Sequence, residues 1–386
     1  MKKFIAAFIA IVFMLPFYAA AAESNILDWQ QAVNLLDNYN NTLLNMKVNV
    51  VNVRKQYINA LMNAESIDTK GMTISVMGKE MYILFDENMK MGMTLRKEFF
   101  PEQMKLNWEM SDDIYRITRN RMITGLRGMF LSLYSSSKNQ DIKMRRYELQ
   151  KQIHEQNKLK FEKGMISKTD LEESEYNLLA AKAASDSSKR NLENAMRNFN
   201  NYVGIDPDTV FEKIVLNEKY EEKRLRNLDY YLERAVTQRH DVILKKKQLA
   251  LLELKKDIME RFPMNMNVVS IREEYEDLMN EIGELQTRIE IERLNIEKDL
   301  KEAYLQTIDT GRKVMEMKKK MDLQRNSLEK TYEMYEKGLI PKTTVDQMQL
   351  GYEELELSYL SILFDYNTKL MRLENAAGLG PAYQEG

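Results

Sequence analysis

Two stretches of this chain are copies of one another at a fixed offset. Residues 161 to 204 open Phe161-Glu162-Lys163-Gly164-Met165-Ile166-Ser167-Lys168-Thr169 and close on Gly204. Residues 335 to 378 open Tyr335-Glu336-Lys337-Gly338-Leu339-Ile340-Pro341-Lys342-Thr343 and close on Gly378. The offset is 174 at both ends (338 − 164 and 378 − 204), so the copies align without a gap. Self-similarity of this kind means one structural unit used twice.

The unit is helical. Charged residues are 30% of the 386-residue chain, with only 14 Gly and 6 Pro. Such a mixture favours long helices with solvated faces. From Glu102 to Lys163 there is no proline, and the only glycines are Gly125 and Gly128. A helix of about 60 residues would be about 90 Å long, and holds only against other helices. Gly164 suits the left-handed end of that helix, and Thr169 with Glu172 fits a capping box for the next. Residues 102 to 203 therefore read as a long helical hairpin with its tip at 164–168. A second long helix runs from about Ser270 to Lys337, with Ile282, Leu285, Ile289, Ile296 and Leu300 close to heptad spacing. Gly338 ends it, Pro341 blocks continuation, and Thr343 with Asp346 restarts a helix that reaches Ala377. This second tip spans 338–342.

Other segments are less regular. Leu27 to about Ala64 reads as one helix, and Leu228-Asp229 opens an equivalent that runs to about Phe262, with a break at 263–267. Residues 73–85 read as a short β hairpin around Gly78, and 86–98 as a short helix broken before Pro101. Residues 205–227 form a connector with a short strand between Val210 and Leu216, and 379–386 a tail. The fold class is all-α, a coiled-coil-like bundle of long helical hairpins from an internal duplication, with at most a small β hairpin. The first repeat covers 23–204 and the second 228–378.

At the N-terminus, Lys2 and Lys3 precede an apolar run from Phe4 and the alanines Ala19–Ala22. This pattern reads as a Sec signal peptide over residues 1–22, with an uncleaved anchor as the alternative. A net charge of −2 gives no drive towards nucleic acid. The absence of cysteine excludes disulfides, thiolate metal sites and a cysteine nucleophile. His154 and His240 are too few for an acid–base or metal constellation and read as surface or packing residues. No phosphate loop or nucleophile motif is visible, so no catalytic residue, metal or cofactor is expected. The runs Lys245–Lys247 and Lys318–Lys320 read as solvated helix faces. The 27 methionines read as seam filler.

Both copies resemble the TolC-type outer-membrane efflux factors. That family's hairpin tip is similar to Phe161–Asp170 and Tyr335–Asp346, and its closing glycine to Gly204 and Gly378. Arg234–Val242 resembles its second-half opening, with His240 in place of the usual proline. The resemblance implies a homotrimeric tube in the cell envelope, docked to a periplasmic adaptor and an inner-membrane pump. It points to Gly164, Met165, Thr169, Gly338, Leu339 and Thr343 as adaptor-docking tip residues, with helix capping as the other role of the glycines. It also places Asp346 and Gln349 at the aperture of the tube; for Asp346 the alternative is an N-terminal helix carboxylate. One departure stands out. Arms of five or six residues are shorter than the roughly 9–11 residues of a membrane-spanning strand, so a full barrel is not expected. An exported coiled-coil scaffold without channel activity is the alternative function.

Overall fold

The computed structural model describes residues 26–216 and 225–378. The expected signal peptide and the tail at 379–386 lie outside the described residues, as does part of the connector. Along the chain come β1 (Ile26–Leu27), α1 (Trp29–Tyr39), α2 (Asn41–Glu65), β2 (Gly71–Val76), β3 (Lys79–Leu84), α3 (Glu87–Thr94) and a π-helical turn at Leu95–Phe99. Then follow α4 (Phe100–Glu162), α5 (Lys168–Val203), β4 (Lys213–Ile214), α6 (Leu228–Gln238) and α7 (His240–Glu260). A 3₁₀ turn at Pro263–Asn267, α8 (Val269–Glu336) and α9 (Lys342–Ala377) complete the chain.

The architecture is all-α, two long antiparallel hairpins (α4–α5 and α8–α9) carrying shorter helices, with no closed barrel among the described residues. Helices of 63 and 68 residues hold because each has a partner over one stripe. On α8 that stripe is Leu285, Ile289, Ile296 and Leu300, all buried at spacings of four and seven. The duplication recurs in the core. Leu126, Phe199 and Val203 are fully buried in the first half, and so are Leu300, Leu373 and Ala377, each 174 residues on, in the second.

Several local expectations are corrected. Leu27–Ala64 is not one helix. The chain turns at Asn40, whose side chain caps Leu43 N–H at 3.2 Å and donates to the Tyr202 carbonyl at 2.9 Å. A single extended residue, Arg239, makes the same break between α6 and α7. The helix also does not stop before Pro101. A π turn, with Phe100 N–H bonded to the Leu95 carbonyl, lets the proline sit at the start of α4 without a gap in the helical path. Helix α5 is capped by Ser167 and Asp170 in a reciprocal box, so Thr169 lies inside the first turn rather than capping it. Helix α9 has Pro341 at its N-cap with no side-chain bond, so Thr343 with Asp346 is not a capping box either. The connector strand is shorter than expected: β4 pairs in parallel with β1 over two residues.

The end opposite the tips is asymmetric. In the first half it carries the β2–β3 hairpin, six residues per arm, around Met77-Gly78. In the second half the same place is filled by the 3₁₀ turn, where Asn265 reaches over to donate to the Glu87 carbonyl at 3.1 Å. No helix among the described residues is long and apolar enough to cross a membrane.

Candidate functional site at the hairpin tips

The two tips are built by the same chemistry. At the first, Gly164 has φ 71°, its N–H bonds the Phe161 carbonyl at 2.8 Å, and Met165 N–H bonds the Lys160 carbonyl at 2.8 Å. At the second, Gly338 has φ 70°, its N–H bonds Tyr335 at 2.8 Å, and Leu339 N–H bonds Met334 at 2.9 Å. This 6→1 and 5→2 pair satisfies the last carbonyls of each long helix and demands a left-handed residue where only glycine sits without strain. The turn throws Met165 and Leu339 outward, both exposed on a charged surface. Nothing lies within 4 Å of where a Cβ would stand on either glycine, so the tips offer open backbone to a partner.

The remaining expected residues are distributed unevenly. Thr169 is exposed and Thr343 half-buried, each at the second position of its helix. Asp346 is half-buried one turn into α9. Gln349, half-buried on the next turn of α9, also touches a different feature. Its amide donates to Glu353 Oε1 at 2.9 Å and its carbonyl lies 3.5 Å from the Tyr332 hydroxyl. Asp170's carboxyl is held below its usual range by the Ser167 amide and hydroxyl.

That different feature is a clasp between the hairpins, which sequence reasoning missed. Arg145 on α4 forks onto both oxygens of Glu353 on α9. Arg146 Nη2 and Lys143 Nζ meet the two oxygens of Glu354 at 2.9 and 2.8 Å. Ile142, Leu149 and Leu350 are buried beneath these pairs. The dipeptides Arg145-Arg146 and Glu353-Glu354 were visible in the sequence. Only the topology brings helices 208 residues apart into register.

The Arg145 guanidinium holds the Glu353 carboxyl below its ordinary value of 4.5, against the opposing effect of burial. A depressed carboxylate stabilises the fold above its unfolded value, and that contribution is lost as pH falls through the folded one. Glu353→Gln therefore flattens the loss of thermal stability between pH 6 and pH 3, by about 1 kcal/mol or less because the clasp is partly solvated. Identical pH profiles for the two proteins would show that the clasp contributes nothing.

The histidines have partners. His154 Nδ1 lies 2.9 Å from Ser174 Oγ inside the first hairpin. His240 Nδ1 lies 2.6 Å from Asp113 Oδ1, joining α7 to α4. Lys245 and Lys247 pair with Glu292 and Glu109 across helices, so that run ties α7 to its neighbours instead of forming a purely solvated face. No group of three or more acidic or histidine side chains placed to hold a metal ion occurs among the described residues.

No protein-family model matches the chain, and no curated protein sequence matches it. Solved structures do. The Campylobacter jejuni CmeC outer membrane channel superposes with a TM-score of 0.59 at 13% identity, over 91% of this chain and 86% of that one. CusC, solved in a study of folding and transmembrane channel formation, gives 0.61 at 10% identity over 94% and 95%. The open state of the Neisseria gonorrhoeae MtrE outer membrane channel gives 0.59 at 11% identity over 92% and 91%. Nearly the whole length of both molecules is shared at an identity that carries only the backbone, and the chain accordingly has the TolC-like fold of these outer-membrane channels.

Proposed function

We propose that this chain is a subunit of a trimeric helical export conduit of the TolC type. It passes substrates across the cell envelope together with a periplasmic adaptor and an inner-membrane pump. The observation that carries the reading is the pair of tips. Two turns with the same hydrogen bonds and the same left-handed glycine stand at one end of a long helical body, each presenting one exposed apolar side chain. What supports docking over capping alone is that both tips repeat the same outward placement of one large apolar side chain, Met165 and Leu339, beside an open glycine backbone. In this reading Gly164, Met165, Thr169, Gly338, Leu339 and Thr343 receive the adaptor. Asp346 and Gln349 line the aperture, and three copies of Asp346 form an acidic ring that favours cations. The chain acts as a passage and no residue is assigned a catalytic role. Export by the N-terminal signal places it in the cell envelope.

The docking role is tested with Met165→Asp and Leu339→Asp together. Recovery of the adaptor from cross-linked envelopes drops about tenfold, the size expected for losing apolar anchors, while helix content by circular dichroism is unchanged. Equal recovery would overturn the docking role. The scaffold reading is favoured by one observation, the six-residue arms of β2 and β3. At about 3.4 Å per residue such arms reach about 20 Å, short of a hydrocarbon core of about 30 Å. Single-channel conductance of the purified oligomer in planar bilayers supports the conduit; its absence in an intact oligomer supports the scaffold.

A further inference from the structure

The β2–β3 hairpin has two unlike faces. Its register sets Met72 against Ile83, Ile74 against Met81 and Val76 against Lys79, while Thr73 meets Tyr82 and Ser75 meets Glu80. Side chains alternate along a strand. Met72, Ile74, Val76, Met81 and Ile83 therefore share one face, and Thr73, Ser75, Glu80 and Tyr82 share the other. The polar face is tied to its own chain. The Tyr82 hydroxyl donates to Asp68 Oδ2 at 2.7 Å, and its ring closes over Gly71, 2.8 Å from where a Cβ would stand. At the root, Phe85 is buried and its N–H bonds the Lys70 carbonyl at 2.9 Å. The apolar face has no such cover. Of its five side chains only Ile74 is half-buried, the others are exposed, and Met77 in the turn is fully exposed. The 3₁₀ turn of the second half adds exposed Met264 and Val268 at the same end, held there by the bond from Asn265 to the Glu87 carbonyl.

We infer that the apolar face of this hairpin binds the surface of a phospholipid bilayer, lying flat in one leaflet instead of crossing it. Charge, length and backbone each favour lipid as the occupant. The one charged side chain on the apolar face is Lys79, beside the turn, and the acidic Glu80 is on the opposite face. A lysine at the margin of an apolar surface extends its ammonium to the lipid phosphates while its stem stays with the acyl chains; a carboxylate there would be repelled. Arms of six residues reach about 20 Å, too short for a hydrocarbon core of about 30 Å. Laid along the boundary between headgroups and acyl chains, the same face needs a depth of only about 5–10 Å. Among the described residues β2 and β3 pair only with each other, so the outer edge of each presents unpaired N–H and C=O groups. Such edges are not tolerated in hydrocarbon, but in the interface they meet water and headgroups. The tied root presents the apolar face preformed. The contact holds for a conduit and for a scaffold alike, since it neither needs nor forbids a passage through the helical body.

The chain has no cysteine, so a single thiol on either face of the hairpin in the full-length protein carries one environment-sensitive fluorophore. Phosphatidylcholine vesicles, with part of the lipid brominated at a chosen depth, are the probe. A label on Met81→Cys shifts to the blue and is quenched most by bromines near the headgroup end of the acyl chains. A label on Thr73→Cys shows neither effect. Adding Met72→Asp and Ile83→Asp abolishes the shift at the first position, while helix content by circular dichroism is unchanged. No shift at Met81→Cys, equal shifts on the two faces, or a shift that survives the added aspartates overturns the inference. So does strongest quenching by bromines near the methyl ends of the chains, which would mean that the hairpin crosses the bilayer. The readout belongs to the hairpin itself, so an anchor elsewhere on the chain cannot produce it. A bilayer-bound hairpin on an oligomer that passes no ions would reject the conduit and leave the lipid contact standing.

Discussion

Gly204→Ala lowers the unfolding free energy by about 3 kcal/mol, whereas Gly378→Ala at the matching position lowers it by only about 1 kcal/mol. The two glycines close the two copies of the repeat, but they do different work. Gly204 has φ 90°, a left-handed conformation that strains any residue with a Cβ. A Cβ there would stand 2.4 Å from the Tyr39 carbonyl oxygen and 3.1 Å from the Asn40 Cα. Both are backbone atoms at the α1–α2 turn, and Asn40 is itself tied to Tyr202, so neither can swing aside. Gly378 has a negative φ of −116°, outside the left-handed region, and a Cβ there would stand 3.2 Å from both the flexible end of Arg234 and the Glu374 carbonyl oxygen, a much milder approach than 2.4 Å. Urea unfolding of the two variants checks the contrast. Equal losses would mean that close packing at the α1–α2 turn does not set the requirement.

Arg239→Met is expected to remove about 3 kcal/mol, because it strands a carboxylate in a largely buried place. Arg239 is 1% exposed, and its guanidinium Nη2 lies 2.5 Å from Asp241 Oδ2, with Nε at 3.1 Å from Oδ1. Burial pushes the Asp241 carboxyl up, but the Arg239 hydrogen bonds and charge and the Val242 amide outweigh it and hold the group below its ordinary value. Without the guanidinium, burial is left against weaker partners. Arg239 Nη1 is buried without a hydrogen-bond partner, so the native pair is itself incompletely compensated. Arg239→Met with Asp241→Leu should therefore recover most of the loss, since neither charge then needs a partner. Urea midpoints of the single and double variants decide this; a double variant as unstable as the single one would point to lost packing at the α6–α7 break instead of the stranded charge.

Much of the body was legible from single residues. Gly164 and Gly338 ended the long helices where expected, because a left-handed turn is a local requirement that only the residue itself can meet. The breaks at Asn40 and Arg239 were less legible. Asn40 is a strong N-cap, yet apolar spacing continues on both sides and concealed the turn. Arg239 caps nothing with its side chain, and its extended backbone is held by burial and Asp241. Pro101 misled in the other direction: its missing N–H breaks an ideal helix, but not one with a π turn just before it.

The sequence by itself determined the duplication, the helical hairpins and the two tips, because each rests on periodicity and on glycines acting within one turn of chain. Tertiary structure alone decided which copies of a repeated position become core. Leu149 and Leu323 occupy the same place in the repeat, and so do Leu350 and Tyr176. One member of each pair is buried in the α4–α9 joint and the other lies in solvent. The cause is geometric. A chain with two hairpins makes one joint between them, so within the chain the second set of joint residues stays uncovered.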